Sequence, residues 1–230
     1  MKVSQITTVY NVEEWLDKTI QSFLSQTLKE SELILINDCS PDGCSDIIGK
    51  YVDNPRIKII NNDINIGAGA SRQRGIDASI GEYTIFVDGD DWLEPDCLEQ
   101  MYNEAIATGA DIVSCATYQH NDYGLHKTKT KGEVWYREDK YYFLNNKLVK
   151  RDLWSKTHYS PLRFREDINA LNRLQELAND IVYMPYAGYQ YNLQSQYKDK
   201  YGRWVYFNKK TESFITTKGM KAKHMYYDAE

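Results

Sequence analysis

The sequence predicts an α/β protein built on a doubly wound, mostly parallel sheet flanked by helices. Short β-branched or wholly apolar runs recur at residues 3–10, 33–36, 57–60 and 83–87. Stretches with helical periodicity lie between them, and a strand–helix alternation of this kind specifies parallel strands joined by crossovers. Polar residues collect just beyond the strand ends, which is where such sheets bind ligands.

Residues 3–10 are rich in β-branched side chains and read as a strand. Asn11, with Glu14 three positions on, has the form of a capping box. It predicts a helix with Val12, Trp15, Leu16, Ile20, Phe23 and Leu24 on one face. Leu33-Ile34-Leu35-Ile36 is apolar throughout, as expected of a central strand. It ends at Asn37-Asp38, ahead of a Ser40-Pro41-Asp42-Gly43 turn. A helix to about Tyr51, the strand at 57–60, a glycine-containing loop at 65–69 and a helix at 71–78 lead to the strand at 83–87. Pro95 opens a helix with Leu98, Met101, Tyr102, Ala105 and Ile106 facing inward. A strand at 112–117, a polar stretch at 120–131 and a short strand at 147–149 follow. Glu166-Asp167 then begins a helix carrying Ile168, Leu171, Leu174 and Leu177. The expected organisation is a main domain over residues 1–195, divided at 93/94, and a basic, aromatic C-terminal extension over 196–230.

A hydrophobic content of 42% with 27% charged residues marks a globular chain rather than a disordered one. The nineteen tyrosines supply amphipathic rings suited to stacking on sugars or bases. Charge is unevenly spread. Between Lys198 and Lys223, seven lysines and Arg203 stand against Asp199 and Glu212, a net +6, which leaves −11 for the rest of the chain. Cys39, Cys44, Cys97 and Cys115 have neither metal-ligand spacing nor a secreted framework, so free thiols in a reducing cytoplasm are expected. His120, His126, His158 and His224 show no metal spacing either. The chain opens on a strand without a signal-peptide pattern, and no stretch approaches the roughly 20 apolar residues of a membrane span.

Chemistry concentrates at Asp88-Gly89-Asp90-Asp91, directly behind Tyr83-Thr84-Ile85-Phe86-Val87. Three carboxylates beside a buried strand repel one another and lose hydration, a cost that a divalent cation relieves. Tyr10 and Asp38 follow other strand ends. Tyr10 is able to stack on a base and Asp38 to accept from a base or a ribose hydroxyl, although Asp38 fits a turn aspartate equally well. Arg72, after the Gly67 loop, suits a phosphate, and equally an ion pair on a helix surface. Acids such as Glu166 and Asp167 are favoured in the first turn of any helix.

The first part of the chain resembles family 2 glycosyltransferases of the GT-A fold. The matching residues are Thr8-Val9-Tyr10-Asn11-Val12-Glu13, Leu35 to Gly43, Asn65-Ile66-Gly67, Arg72 with Gly75, and Gly81-Glu82-Tyr83 running into Val87 to Leu93. A thinner match continues at Asn146 to Arg151 and at Phe164-Arg165-Glu166-Asp167. The resemblance implies a nucleotide-sugar half over residues 1–93 and an acceptor half over 94–195. It assigns Thr8, Tyr10 and Asp38 to the nucleotide and Arg72 to the diphosphate. Asp90 goes to a Mn2+ or Mg2+ ion, and Asp88, with Gly89, to ribose and metal. Asp167 becomes the catalytic base of an inverting displacement, with Glu166 and Trp92 on the acceptor side. Cys39 and Gln73 stand where the family often has glycine and asparagine, changes that reshape the donor pocket, and Asn192 stands where an arginine is common, which weakens one expected phosphate contact. Lys200-Tyr201-Gly202-Arg203-Trp204 is similar to a loosened Gln-x-x-Arg-Trp motif, which makes Arg203 a diphosphate contact and Trp204 an acceptor contact.

The expected reaction moves a sugar from a nucleoside-diphosphate sugar, foremost a UDP-sugar, to a hydroxyl of a glycan or lipid-linked saccharide, as in polysaccharide biosynthesis. The basic, aromatic tail fits a peripheral anchor at the inner face of a membrane, a wrap on the acidic body, or nucleic-acid contact. The last of these would suit transfer to a modified nucleobase, and the acidic overall balance counts against it. A non-catalytic nucleotide-sugar-binding module is the alternative outside enzymes. It would be expected to lack Asp90 or Asp167, and both are present.

Overall fold

A computed structural model describes residues 1–120, 133–135, 144–159, 166–192, 205–208, 213–216 and 221–222. The chain divides into two units, Met1–Gln119 with Gly132–Tyr191, and His120–Lys131 with Asn192–Glu230. The elements run β1 (Val3–Val9), α1 (Glu13–Leu24), β2 (Ser31–Asn37), α2 (Cys44–Gly49), β3 (Ile57–Asn61), α3 (Ala68–Ala78), β4 (Tyr83–Phe86) and β5 (Trp92–Leu93). They continue with α4 (Cys97–Thr108), β6 (Ile112–His120), β7 (Glu133–Trp135), β8 (Lys147–Lys150), a 3-10 helix (Arg151–Lys156), α5 (Glu166–Leu177) and β9 (Ile181–Asn192). Last come β10 (Val205–Asn208), β11 (Ser213–Thr216) and β12 (Lys221–Ala222), which form an antiparallel three-stranded sheet.

The nine-stranded sheet has the order β3-β2-β1-β4-β8-β6-β9-β5, with β7 on β6. β1 to β4 are parallel, as their alternation with helices predicts. The expectation of a mostly parallel sheet stops there. β8 joins β4 antiparallel, β6 joins β8 antiparallel, and the β5–β9 pair is antiparallel too, so the sheet is mixed. After β4 the chain returns to the sheet without a regular crossover helix before each strand, and antiparallel pairing needs none.

Successive strand residues enter different cores, because side chains alternate across a sheet. Val3, Leu33, Leu35 and Ile85 join Leu16, Ile20 and Phe23 of α1, Ile48 of α2, and Leu98 and Met101 of α4. Ile6, Ile34, Ile36 and Phe86 join Ile76 of α3 and Leu171 and Leu174 of α5. Helices therefore cover both faces. On α3, a Cβ at Gly75 would run into Ile6 Cγ2, so the glycine sets the close approach of α3 to β1.

The capping box expected at Asn11 does not form. Asn11 has φ +57°, and the helix starts two residues later, at Glu13, with no side-chain cap from Val12. The cap comes from another loop: Glu13 N–H donates to Asp42 Oδ2 at 3.0 Å. Reciprocally, the Glu13 carboxylate accepts from the N–H of Gly43, at the start of α2. Asn11 N–H donates to Ser40 Oγ at 2.7 Å, and Ser40 donates to Asp42 Oδ1 at 2.6 Å. The periodicity of α4 also misleads at its end, where Ile106 is 54% exposed. The strands of the basic tail and the twelve-residue β9, which contains Pro185, were not anticipated.

Candidate active site

The parallel strands bring the expected residues to one edge. Asp38 follows Asn37, which is registered with Val9 of β1, so Tyr10 and Asp38 leave adjacent strands side by side. Ile6 is registered with Phe86, and two residues further this sets Thr8 level with Asp88. The strand order reverses at β1, which β2 flanks on one side and β4 on the other, and sheets of this kind bind ligands outside the strand ends at such a point. Tyr10 is half exposed. Two non-glycine residues at this edge, Asn11 and Cys39, hold left-handed φ values of +57° and +56°. Such conformations cost of order 1–2 kcal/mol each and collect at functional sites. A glycine would adopt the φ of Cys39 without that cost.

Asp38 is buried and its carboxylate organises the next loop. Oδ1 accepts from Asn62 Nδ2 at 2.7 Å and from Ile66 N–H at 2.8 Å, and Oδ2 accepts from Gly67 N–H at 2.8 Å. The loop that leads into α3 is thus pinned to the end of β2.

Two of the three acids after β4, Asp88 and Asp91, have separate side-chain partners. Arg72 of α3 donates to Asp88 Oδ1 at 2.8 Å, and Asn145 Nδ2 donates to Asp88 Oδ2 at 2.6 Å. Asp91 is fully buried and accepts from the Tyr189 hydroxyl at 2.5 Å. That hydroxyl also accepts the Asp88 N–H at 3.4 Å. Burial, followed by the charges of Asp91 and Asp88, pushes the Tyr189 phenol well above its ordinary pKa, so it stays a donor. Gly89 is tightly enclosed: a Cβ there would sit 2.9 Å from Val12 Cγ2 and 3.0 Å from the Thr8 carbonyl. Asp90 is 8% exposed. The charge crowding is therefore relieved partly from within, by Arg72, Asn145 and Tyr189.

Arg72 also reaches α5, donating to Glu166 Oε1 at 3.3 Å. Burial opposes its charge, but the carboxylates of Asp88 and Glu166 outweigh that and raise its pKa. Burial raises the Glu166 pKa, with the charges of Asp167 and Asp88 adding to the effect and Arg72 opposing it. Asp167 Oδ1 accepts from Ile168 N–H at 2.8 Å in the first turn of α5. Gln73 accepts the Tyr159 N–H at 3.1 Å, and the Tyr159 ring stacks on Trp154 at 5.7 Å beside Arg72 and its acids. Trp92, on β5, lies under Lys18 Nζ at 3.0 Å from its ring centroid. Arg203 and Trp204 fall outside the described residues.

Among the described residues no group of three or more His, Cys, Asp or Glu gathers as a cation site. Mg2+-type sites commonly use only one or two carboxylates and complete their shell with substrate phosphates and water. Two carboxylates, Asp90 and Asp88, are available here for a shell of that kind, with both Asp88 oxygens already hydrogen-bonded to Arg72 and Asn145. Asn145 and Tyr189 carried no sequence signal of their own, since Asn145 reaches its acid from the turn before β8 and Tyr189 from β9, 57 and 98 residues away along the sequence.

The chain belongs to glycosyl transferase family 2, whose model matches residues 4–172. It is 43% identical over 117 residues to cholesterol galactosyltransferase of Borreliella burgdorferi, covering 51% of this chain and 33% of that protein. The match spans about a third of the length of cholesterol galactosyltransferase and of two other curated relatives. Its fold is similar to that of S. aureus TarS 1–349 in complex with UDP-GlcNAc, with a TM-score of 0.74 at 23% identity, covering 84% of this chain and 59% of that one. The mannosyltransferase PcManGT from Pyrobaculum calidifontis, in complex with GDP-Man and Mn2+, gives a TM-score of 0.66 at 11% identity, covering 82% and 56%. No helix among the described residues is long and apolar enough to cross a membrane.

Proposed function

We propose that this chain carries the donor-binding and catalytic core of an inverting, metal-dependent glycosyltransferase with a GT-A fold. Its donor is a nucleoside-diphosphate sugar, and its acceptor is a hydroxyl of a glycan or a lipid-linked saccharide. The observation that carries the reading is the Arg72 bridge, which brings Asp88 after β4 and Glu166 at the start of α5 to a single guanidinium. Donor-side and acceptor-side carboxylates then face one reaction centre.

In this reading Tyr10 stacks on the base at the crevice mouth, and the loop pinned by Asp38 shapes the nucleotide pocket. Arg72 lends positive charge beside the diphosphate, and Asp88 takes the ribose side. A divalent cation held by Asp90 and Asp88 would supply electrostatic stabilisation of the departing diphosphate. Asp167 accepts the proton that the acceptor hydroxyl loses as it attacks the anomeric carbon, and a single in-line displacement inverts that centre. Glu166 keeps Arg72 oriented next to the base.

A thermal-shift and hydrolysis panel of UDP-, GDP- and dTDP-sugars with and without Mn2+ tests the proposal. UDP-GlcNAc and GDP-Man belong in it because proteins of the same fold hold them. One donor should raise the melting temperature and be hydrolysed slowly when Mn2+ is present. Absence of both responses across the panel would overturn the reading.

A further inference from the structure

Asp88 lies directly across from Asn145. In the antiparallel pairing of β4 and β8, Ile85 is registered with Leu148, and three residues further along this register Asp88 meets Asn145. The side chains join there at 2.6 Å, while Arg72 holds the other carboxylate oxygen at 2.8 Å. A carboxylate held by one partner still turns about its last torsion, which is broad and nearly two-fold. Held on both oxygens, by a cation from α3 and a neutral amide from the β8 turn, it keeps one orientation.

The turn that presents Asn145 is itself anchored. Leu144 is buried in the same apolar cluster as Phe86 and Trp154. Asn146 Nδ2 donates to the Cys115 carbonyl at 2.8 Å, and Cys115 N–H donates back to the Asn146 carbonyl at 3.1 Å. Lys147 N–H closes the turn onto the Leu144 carbonyl at 3.2 Å. The adjacent asparagines divide the work: Asn146 fastens the turn to β6, and Asn145 delivers its amide to Asp88.

We propose that Asn145 is a positioning residue of the donor site, fixing the Asp88 carboxylate before any nucleotide arrives. The inference rests on the proposed glycosyltransferase function. A preformed carboxylate spares the donor the ordering cost that a swinging one would add on binding.

Calorimetric titration of the full chain with UDP, GDP, ADP, CDP and dTDP, in the presence of Mn2+, tests it alongside melting temperatures. Asn145→Ala should weaken the best-binding nucleotide about 10-fold, the scale of a hydrogen bond to a charged group. Asn145→Asp, which sets a second carboxylate against Asp88, should weaken it further. Asn146→Ala, which loosens the turn without touching Asp88, should lower the melting temperature yet leave the affinity of the folded protein within about two-fold. Wild-type affinity in both Asn145 variants would overturn the positioning role while leaving the glycosyltransferase reading in place. Equal losses in Asn145→Ala and Asn146→Ala would also overturn it, by reducing Asn145 to a support of the turn. If the wild-type protein binds none of the five nucleotides, the proposed function fails and this inference with it.

Discussion

Arg72 ties Asp88 to Glu166 across 78 residues of sequence, donating to one at 2.8 Å and to the other at 3.3 Å. Its side chain is 10% exposed, against 27% for Asp88 and 13% for Glu166, so the three charges interact largely out of water. Removing the cation would leave two acids facing each other. Arg72→Ala is expected to cost about 3 kcal/mol, the range for breaking a buried pair, and Arg72→Lys to recover only part of that because an ammonium cannot fork between two acids. Urea unfolding of the three proteins measures both, and a loss under about 1 kcal/mol for the alanine variant would mean the bridge is not held in solution.

Glu166 gives the bridge a pH dependence. Its folded pKa lies above the ordinary 4.5, so between those two values the folded state binds more protons than the unfolded one. Stability contributed by this group is therefore present at low pH and is lost as pH rises from 4.5 through the folded pKa. The melting temperature of wild type minus that of Glu166→Gln should fall as pH rises through that window. A flat difference would contradict the raised pKa.

Asp90 and Asp167 should separate donor binding from transfer. Asp90→Ala is expected to remove the Mn2+-dependent part of nucleotide binding. Asp167→Asn should bind the donor normally and lose transfer by 100-fold or more, within the roughly 10²–10⁴ range for a general base. Unchanged transfer by the asparagine variant would move the base elsewhere, with Glu166 the next residue to test.

Cys39 offers a chemical probe of the pocket. It is exposed while Cys44, Cys97 and Cys115 are buried. A disulfide reagent should titrate one thiol quickly in the native protein and all four in denaturant, and a bound nucleotide should slow the fast phase. Cys39→Gly should abolish that phase and, by relieving a φ of +56°, raise stability by up to about 1 kcal/mol.

The parts of this architecture carried by local pattern were legible in the sequence. The apolar run at 33–36 is a strand with every residue buried, and the acids after residue 87 end one as expected. The partners of those acids were not legible, because pairing register is a property of two segments at once. Asn145 meets Asp88 only through the β4–β8 register, and Tyr189 reaches Asp91 only through the pairing of β9 with β5. The Asn11 motif failed for a related reason. A cap from Asp42 competes with a local one, and tertiary contact won. Ile106 fits the helical period yet faces water, while its neighbour Ala105 takes the buried position at that turn of α4.

The exchanged caps between Glu13 and Asp42 have a consequence for motion at the edge where β1 and β2 end. Each loop holds the first turn of the other's helix, so neither frays alone without stripping a partner from its neighbour. The amides of Glu13 and Gly43 should exchange with solvent through one shared opening, with matching protection, although 30 residues separate them. Any breathing of this rim is then a single cooperative event involving both strand ends, and the rim opens or stays shut as a whole.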